Sequence, residues 1–397
     1  MSSSVHTAPA KILFINLYTE MGGGEYAMYH LLKGMDRSRF KPVMMFNQRG
    51  PFVEKVESIG VQTVIIPFRT VMLKRLIRPK EFASAMRTSF ELCGYIQQEK
   101  FDLVHCTDVL SLVFLWRAMI SKRIPVVYNV IFFYEWTRVL LFNLLALLFV
   151  KRIVTNSFAI RKDLISRTVL LSRKFDTVYY GIDTSMFTPR VNGDVNSFRS
   201  SFNLEEGKQL VGMVARFDTW KGHKTFLSAV VSVLKQRSDV QFVVVGGLLN
   251  PASVPALQLY YNDVMNYRKE LGLEEKIPFI DHQSNMPEVL RGLDVLVCPS
   301  FREPIPMIVF EAMASGVPVI GADSGGIPEQ IENGIDGYLF RTGDASSLEA
   351  AMIRCLDAKE ERAKIAVVAR AKMENKFSMQ RYVNDMQNCY SRIVEAA

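Results

Sequence analysis

The chain lacks the features that mark a secreted, membrane-spanning or metal-stapled protein. Its five cysteines, Cys93, Cys106, Cys298, Cys355 and Cys389, are odd in number, widely spaced and never arranged as C-x-x-C. That pattern argues against a disulfide framework and a zinc site, and a reducing cytoplasm is the simplest home for it. The first apolar run, Ile12 to Leu17, is far too short for a signal segment, so no export signal is expected. No stretch reaches the roughly 20 apolar residues of a spanning helix. The most apolar one, Val139 to Val150, is broken only by Asn143 and bracketed by Arg138 and by Lys151 with Arg152. A run of that length suits a buried helix or a segment lying on a membrane, and core is the expectation. Repeats at solenoid period and low-complexity tracts are also absent. The net charge of +8 is moderate for 397 residues, with Lys and Arg scattered apart from one local cluster. A nucleic-acid role is therefore not expected, whereas anionic ligands or an anionic membrane surface fit.

What is present is an alternation. With 49% apolar residues, the chain is too long for one core and suits two domains. Short β-branched runs recur between helical patterns: Lys11–Asn16, Pro42–Phe46, Thr63–Ile66, Leu103–His105, Pro125–Asn129 and Arg152–Thr155, then Leu210–Val214, Gln241–Val245, Val295–Pro299 and Val317–Gly321. A further strand is expected around Phe279. Strand then helix, repeated, builds a parallel sheet covered on both faces, and two such sheets are implied. Between them Thr188 to Lys208 is polar, with Pro189, Asn192, Gly193 and Asn196, and reads as a linker. The expected domains are 1–188, a linker at 189–207, 208–375, and a C-terminal helix at 376–397. Doubly wound domains bind ligands at the carboxyl ends of their strands, so two facing each other would form a cleft.

The richest segment runs from Pro299 to Pro318. A buried strand ends near Cys298, a loop carrying Glu303 follows, and a helix opens near Pro306, with proline suited to its first turn. Glu311 falls within that helix. The N–H groups of Ile305, Met307 and Ile308 are expected at its positive end, where a sugar diphosphate would be held. Gly316 to Glu329 then gives a strand entering a glycine turn at Gly325-Gly326, and Asn333 to Gly337 gives a tight loop.

This run closely resembles the retaining glycosyltransferases of GT-B architecture that include sucrose, mannosyl and lipopolysaccharide core transferases. Their E-x7-E signature is Glu303 to Glu311 here. Three more segments agree over nearly the whole chain: Gly22-Gly23-Gly24-Glu25, then Tyr180-Gly181-Ile182-Asp183 with Phe187 and Pro189, and Val214-Ala215-Arg216 with Lys221-Gly222. The resemblance implies an α/β fold of two Rossmann-like domains facing across a cleft, the first binding the acceptor and the second a nucleotide-sugar donor. It implies that Arg216 and Lys221 contact the donor diphosphate, where fixed cations favour the departing nucleotide. It assigns Glu311 to the ribose hydroxyls and Glu303 to the transferred sugar, with amides near Met307 and Ile308 gripping the same sugar. Glu303 as nucleophile remains an open alternative. Gly22 and Gly23 follow a strand and precede a helical run, so their backbone can approach donor phosphates. The segment Asp281 to Asn285 lies where the family places its nucleobase loop, with Gln283 a donor contact and Asp281 where glycine is usual.

Transferases of the other main architecture hold a metal through D-x-D, and this chain contains no such pair. Cationic side chains and a helix N-terminus can do the metal's work, so no cofactor and no metal are expected. Many relatives carry a histidine just after the strand corresponding to Val126–Val130; Ile131 stands there, followed by Phe132, Phe133, Tyr134, Glu135 and Trp136. His105 is not that residue. The aromatic entrance suits a lipid-linked or otherwise hydrophobic acceptor, beside a plain sugar acceptor. In 68–80, Met72, Leu73, Leu76 and Ile77 share one helical face and Lys74, Arg75 and Arg78 the other. That pattern suits either a core-facing helix with a solvated basic face or a stripe lying on anionic lipid. The expectation is a retaining, metal-independent glycosyltransferase, cytoplasmic or peripheral to a membrane's cytoplasmic face, making polysaccharide or glycolipid. The rivals are a nucleotide-sugar epimerase and a non-catalytic nucleotide-sugar-binding protein on the same fold.

Overall fold

The β-branched runs pair side by side and in parallel, in two separate sheets. The computed structural model describes residues 8–67, 78–190, 197–248 and 255–396. Contacts divide the chain into one unit of Met1–Gly181 with Met379–Ala397 and another of Ile182–Ser378. The first holds β1 (Ala10–Ile15), β2 (Phe40–Phe46), β3 (Gln62–Ile65), β4 (Leu103–Cys106), β5 (Val126–Val130), β6 (Val150–Thr155) and β7 (Phe175–Thr177). Their order is β3-β2-β1-β4-β5-β6-β7, every neighbour parallel. The chain builds outward from β1, then returns to place β4 on its other side. Parallel neighbours require long crossovers, and helices supply them while covering both faces. Hence the central strands are apolar on both sides, with Ile12, Leu13, Phe14, Val104 and Val126 fully buried.

The second unit repeats the plan with β8 (Gln209–Val214), β9 (Val240–Val245), β10 (Phe279–Ile280), β11 (Val295–Cys298), β12 (Val319–Ala322) and β13 (Tyr338–Phe340). The order is β10-β9-β8-β11-β12-β13, again all parallel. Its strand order reverses between β8 and β11, as the first unit's does between β1 and β4. The crevice outside the strand ends at such a reversal is where doubly wound sheets bind ligands.

Two sequence expectations change. The units divide between Gly181 and Ile182, ahead of the expected linker at 189–207; of that stretch 191–196 lie outside the described residues and Ser197–Ser201 is a short helix. Arg199 anchors it. Its guanidinium is buried and donates to the carbonyls of Gly292, Glu205 and Lys208 and to Asp294 Oδ2 at 2.8–3.1 Å. The stretch is polar in composition, yet its arginine is turned inward onto backbone carbonyls and a carboxylate.

The apolar run read as core is the helix Trp136–Phe149, and only one side of it is core. Val139, Phe142 and Ala146 are fully buried, whereas Leu140, Leu144, Leu147 and Leu148 are exposed. A helix apolar all round leaves no period from which to read its covered face. Of the basic stretch 68–80, residues 68–77 lie outside the described residues. Among the described residues no helix is long and apolar enough to cross a membrane.

The C-terminal helix Met379–Val394 belongs to the first unit and buries Tyr382, Val383, Met386, Tyr390 and Ile393. Tyr390 Oη lies 2.6 Å from Nδ1 of His105 beneath β4, and Gln387 accepts from the N–H of Asp36. Burial drops the His105 pKa to about 3, so its ring is a neutral core group.

Replacing Arg199 by alanine strips one buried cation from three carbonyls and a carboxylate. We expect a loss of about 3 kcal/mol in stability, measured by denaturant unfolding, without change of fold by circular dichroism.

Candidate active site

After β8 the chain turns through Ala215–Lys221 into the helix His223–Leu234, with Gly222 as its N-cap at φ 80°. A Cβ on Gly222 would lie 2.1 Å from the carbonyl oxygen of Pro299, in the loop after β11. Glycine is therefore required both by the torsion and by the contact. The same loops are joined where the N–H of Phe301 donates to the Trp220 carbonyl at 2.7 Å. This approach puts Lys221 beside Glu303, Nζ to Oε2 2.8 Å, with only 15% and 13% of their side chains exposed. Two strands that flank the reversal thus deliver one cation and one anion to one point.

Glu303 is held from the other side as well. Gly325, at φ 57°, lies so close that a Cβ would stand 2.1 Å from the Glu303 carbonyl oxygen, and Gly326 N–H donates to that oxygen at 2.9 Å. The Ser324 hydroxyl donates to the carbonyl of Phe301. The glycine turn after β12 is thus a buttress for the loop that carries Glu303.

Arg216 leaves β8 five residues before Lys221 and pairs with Asp218 at 3.1 Å; its side chain is half exposed, while Asp218 is buried. Burial raises the Asp218 pKa against the pull of Arg216 and Lys221. Sequence reasoning missed Asp218, although it stands between the two cations it serves.

The loop runs on to the helix Met307–Ala314, whose N-cap is Pro306 in extended geometry. The expected place for this proline was the first turn. The difference is one position, and the proline has no N–H to leave unpaired in either. Ile305 is buried just before the helix, and Met307 and Ile308 open it. Amides of a first turn have no partners inside the helix and attract anions. Glu311 lies one turn further on, partly buried, and burial raises its pKa to about 7. Gln283 sits in the loop after β10, donating from Nε2 to the Asp281 carbonyl at 3.0 Å. Arg216, Lys221, Glu303, Ile305, Met307, Ile308, Glu311 and Gln283 therefore all lie in the second unit, in or beyond the loops at its strands' carboxyl ends. Among the described residues no three His, Cys, Asp or Glu gather as a metal site would require.

Gly22 and Gly23 belong to the first unit. Gly22 caps the helix Gly23–Gly34 at φ −129°, an extended geometry open to any residue. Close by, Asn16, Gly24, Glu25, Met28, Thr107, Asn129, Ile131, Tyr180 and Tyr382 line a small pocket at that unit's own reversal. Ile131 is part of its wall, and the side-chain oxygen of Asn129 is buried there without a protein partner among the described residues.

The family model "Glycosyl transferases group 1" matches residues 194–372, and "Glycosyltransferase Family 4" matches residues 21–186. The chain belongs to the group 1 glycosyltransferases. Its two Rossmann-like parallel-sheet domains are the GT-B fold, which solved structures share. Anabaena Alr3699/HepE, solved in complex with UDP, aligns with a TM-score of 0.82 at 21% identity, covering 96% of this chain and 100% of that one. "Spore coat protein SA" of Bacillus subtilis is 28% identical over 75% of this chain and 80% of its own length. An Escherichia coli protein, "UDP-Gal:alpha-D-GlcNAc-diphosphoundecaprenol alpha-1,3-galactosyltransferase", is 22% identical over 97% of both chains. Other curated relatives are matched over only 58% and 42% of their own length.

The group 1 transferase should show the cost of Glu311. A carboxyl whose folded pKa is raised keeps its proton longer in the folded state. The contribution of Glu311 to stability is therefore greatest below the ordinary glutamate range, falls as pH climbs toward about 7, and is level above it. Glu311→Gln should remove that slope, worth up to about 3 kcal/mol by urea unfolding across the range. An unchanged slope would mean that Glu311 titrates normally.

Proposed function

We propose that the protein transfers a sugar from a UDP-sugar to a lipid-linked saccharide acceptor with retention at the anomeric carbon and without a metal ion. The observation that carries this reading is the Lys221–Glu303 pair at 2.8 Å, set at the reversal of the second sheet. In this reading the donor diphosphate lies against Arg216, Lys221 and the opening amides of Met307–Ala314. Glu311 accepts from the ribose hydroxyls, a bidentate geometry natural to a carboxylate. Gln283 lies on the base side. Glu303, oriented by Lys221, receives hydroxyls of the transferred sugar and is a positioning group.

The step balances without a dedicated base. The anomeric C–O bond to the β-phosphate breaks and its electron pair stays on the phosphate, where Arg216 and Lys221 offset the charge. The acceptor hydroxyl attacks from the face just vacated, and its proton passes to the departing phosphate oxygen. UDP is the first base to test because the Anabaena structures hold UDP and UDP-glucose and the E. coli relative is a UDP-galactose transferase. The lipid-linked acceptor is supported by that relative's diphosphoundecaprenol substrate and by the apolar sequence around Ile131. The setting is assembly of a surface polysaccharide or glycolipid at the cytoplasmic side.

The test is hydrolysis and transfer with a panel of UDP-, GDP- and ADP-sugars in EDTA. We expect turnover to persist in EDTA and Glu303→Ala to lower it by about a hundredfold or more while UDP still binds. Complete dependence on an added divalent cation would overturn the metal-free reading, and an unaffected Glu303→Ala would overturn the site.

A further inference from the structure

The first unit carries a helix face that the fold leaves uncovered. On Trp136–Phe149, Leu140, Leu144, Leu147 and Leu148 fall within one arc of about 100° at helical spacing. Leu140, Leu144 and Leu148 are 67%, 58% and 62% exposed. From Val139 to Phe149 the sequence has no charge and one polar residue, Asn143, whose amide donates inward to the Arg167 carbonyl. A 3-10 turn, Val169–Lys174, packs beside the helix, and its Leu170 is 83% exposed. Single exposed leucines are ordinary; a contiguous stripe marks an interaction surface.

Two further observations say what covers it. The Lys174 ammonium donates to the carbonyls of Ala146, Leu147 and Val150 at 2.9, 2.9 and 2.8 Å. These oxygens at the helix's carboxyl end are thus capped by a cation from the neighbouring turn, which leaves fewer free carbonyls beside the leucine stripe. At the same end Lys151 and Arg173 are exposed, and neither has an ion-pair partner among the described residues. The acids of neighbouring elements are already engaged, Asp163 with Arg167 and Asp176 with Arg152 and Arg392. Glu135 stands at the opposite end of the helix.

We propose that this face docks the protein on an anionic lipid bilayer, with the leucine stripe entering the boundary of headgroups and acyl chains and Lys151 and Arg173 meeting lipid phosphates. An apolar helix stripe with cations at its rim is the form that interfacial binding takes. A second copy of the chain fits less well. The stripe is purely aliphatic, whereas the centres of protein interfaces favour aromatic, Met and Arg side chains. A two-fold dimer would also bring the same cations together. The inference goes beyond the transferase reading and does not rest on the identity of its donor.

Co-sedimentation of the full chain with vesicles of phosphatidylcholine mixed with phosphatidylglycerol, and with phosphatidylcholine alone, tests it. The chain should bind the anionic vesicles and lose about tenfold or more of that binding in the double variant Leu144→Gln with Leu148→Gln. Lys151→Glu with Arg173→Glu should lower binding to the anionic vesicles, and raised salt should do the same. Unchanged thermal unfolding and unchanged UDP binding in both variants establish that the fold is intact. Absence of binding by the native chain, or binding indifferent to the leucine substitutions, overturns the proposal. So does a dimer on sizing chromatography that the leucine substitutions dissolve, which would assign the face to a second copy.

Discussion

Lys221 and Glu303 are 82 residues apart in the chain and 2.8 Å apart in the fold. Neither charge would tolerate this degree of burial alone, and each makes the other's position affordable. Around them the order of dependence is clear. The parallel sheet brings the ends of β8 and β11 side by side. Gly222 lets one loop lie on the carbonyl of Pro299, and Gly325 lets a third loop close on the carbonyl of Glu303. A side chain at either glycine would push apart the loops that bring the pair together. Arg216 and Asp218 form a second pair beside the first, so the site holds its cations against matched acids. An entering diphosphate would exchange those partners, with the amides at the start of Met307–Ala314 adding attraction that needs no counter-ion.

Much of this was legible in the sequence because its causes are local. β-branched runs bounded by turn residues mark buried strands, and alternation with helices implies parallel sheets. Glu303, Glu311, Arg216 and Lys221 stood out because their spacings matched a known pattern. What escaped depends on contacts between distant segments. β7 and β13 are three-residue strands at sheet edges, too short to show a period. Asp218 looks like a turn residue until its burial beneath Arg216 is seen. The polar stretch around Arg199 looks solvated because composition cannot reveal a guanidinium turned inward onto Gly292 and Asp294.

The first unit shows the same limit from the apolar side. The run from Val139 to Val150 reads as core because hydrophobicity is conspicuous, yet periodicity is what separates a covered face from an open one, and this helix has almost none. Its neighbour Ile131 illustrates a substitution whose meaning is spatial: it forms part of the wall of the pocket with Asn129, Tyr180 and Tyr382. His105, the nearest histidine upstream, is buried under the C-terminal helix against Tyr390 and is not among the residues that line that pocket.

The central claim is that the buried cation at the second unit's reversal binds the donor's diphosphate. Calorimetric titration of UDP in EDTA against the native chain and Lys221→Met tests it most directly. The account predicts binding by the native chain and a loss of about tenfold or more in the variant, on the order of 1.4 kcal/mol, with unfolding still cooperative. Equal affinity in the two proteins would contradict it.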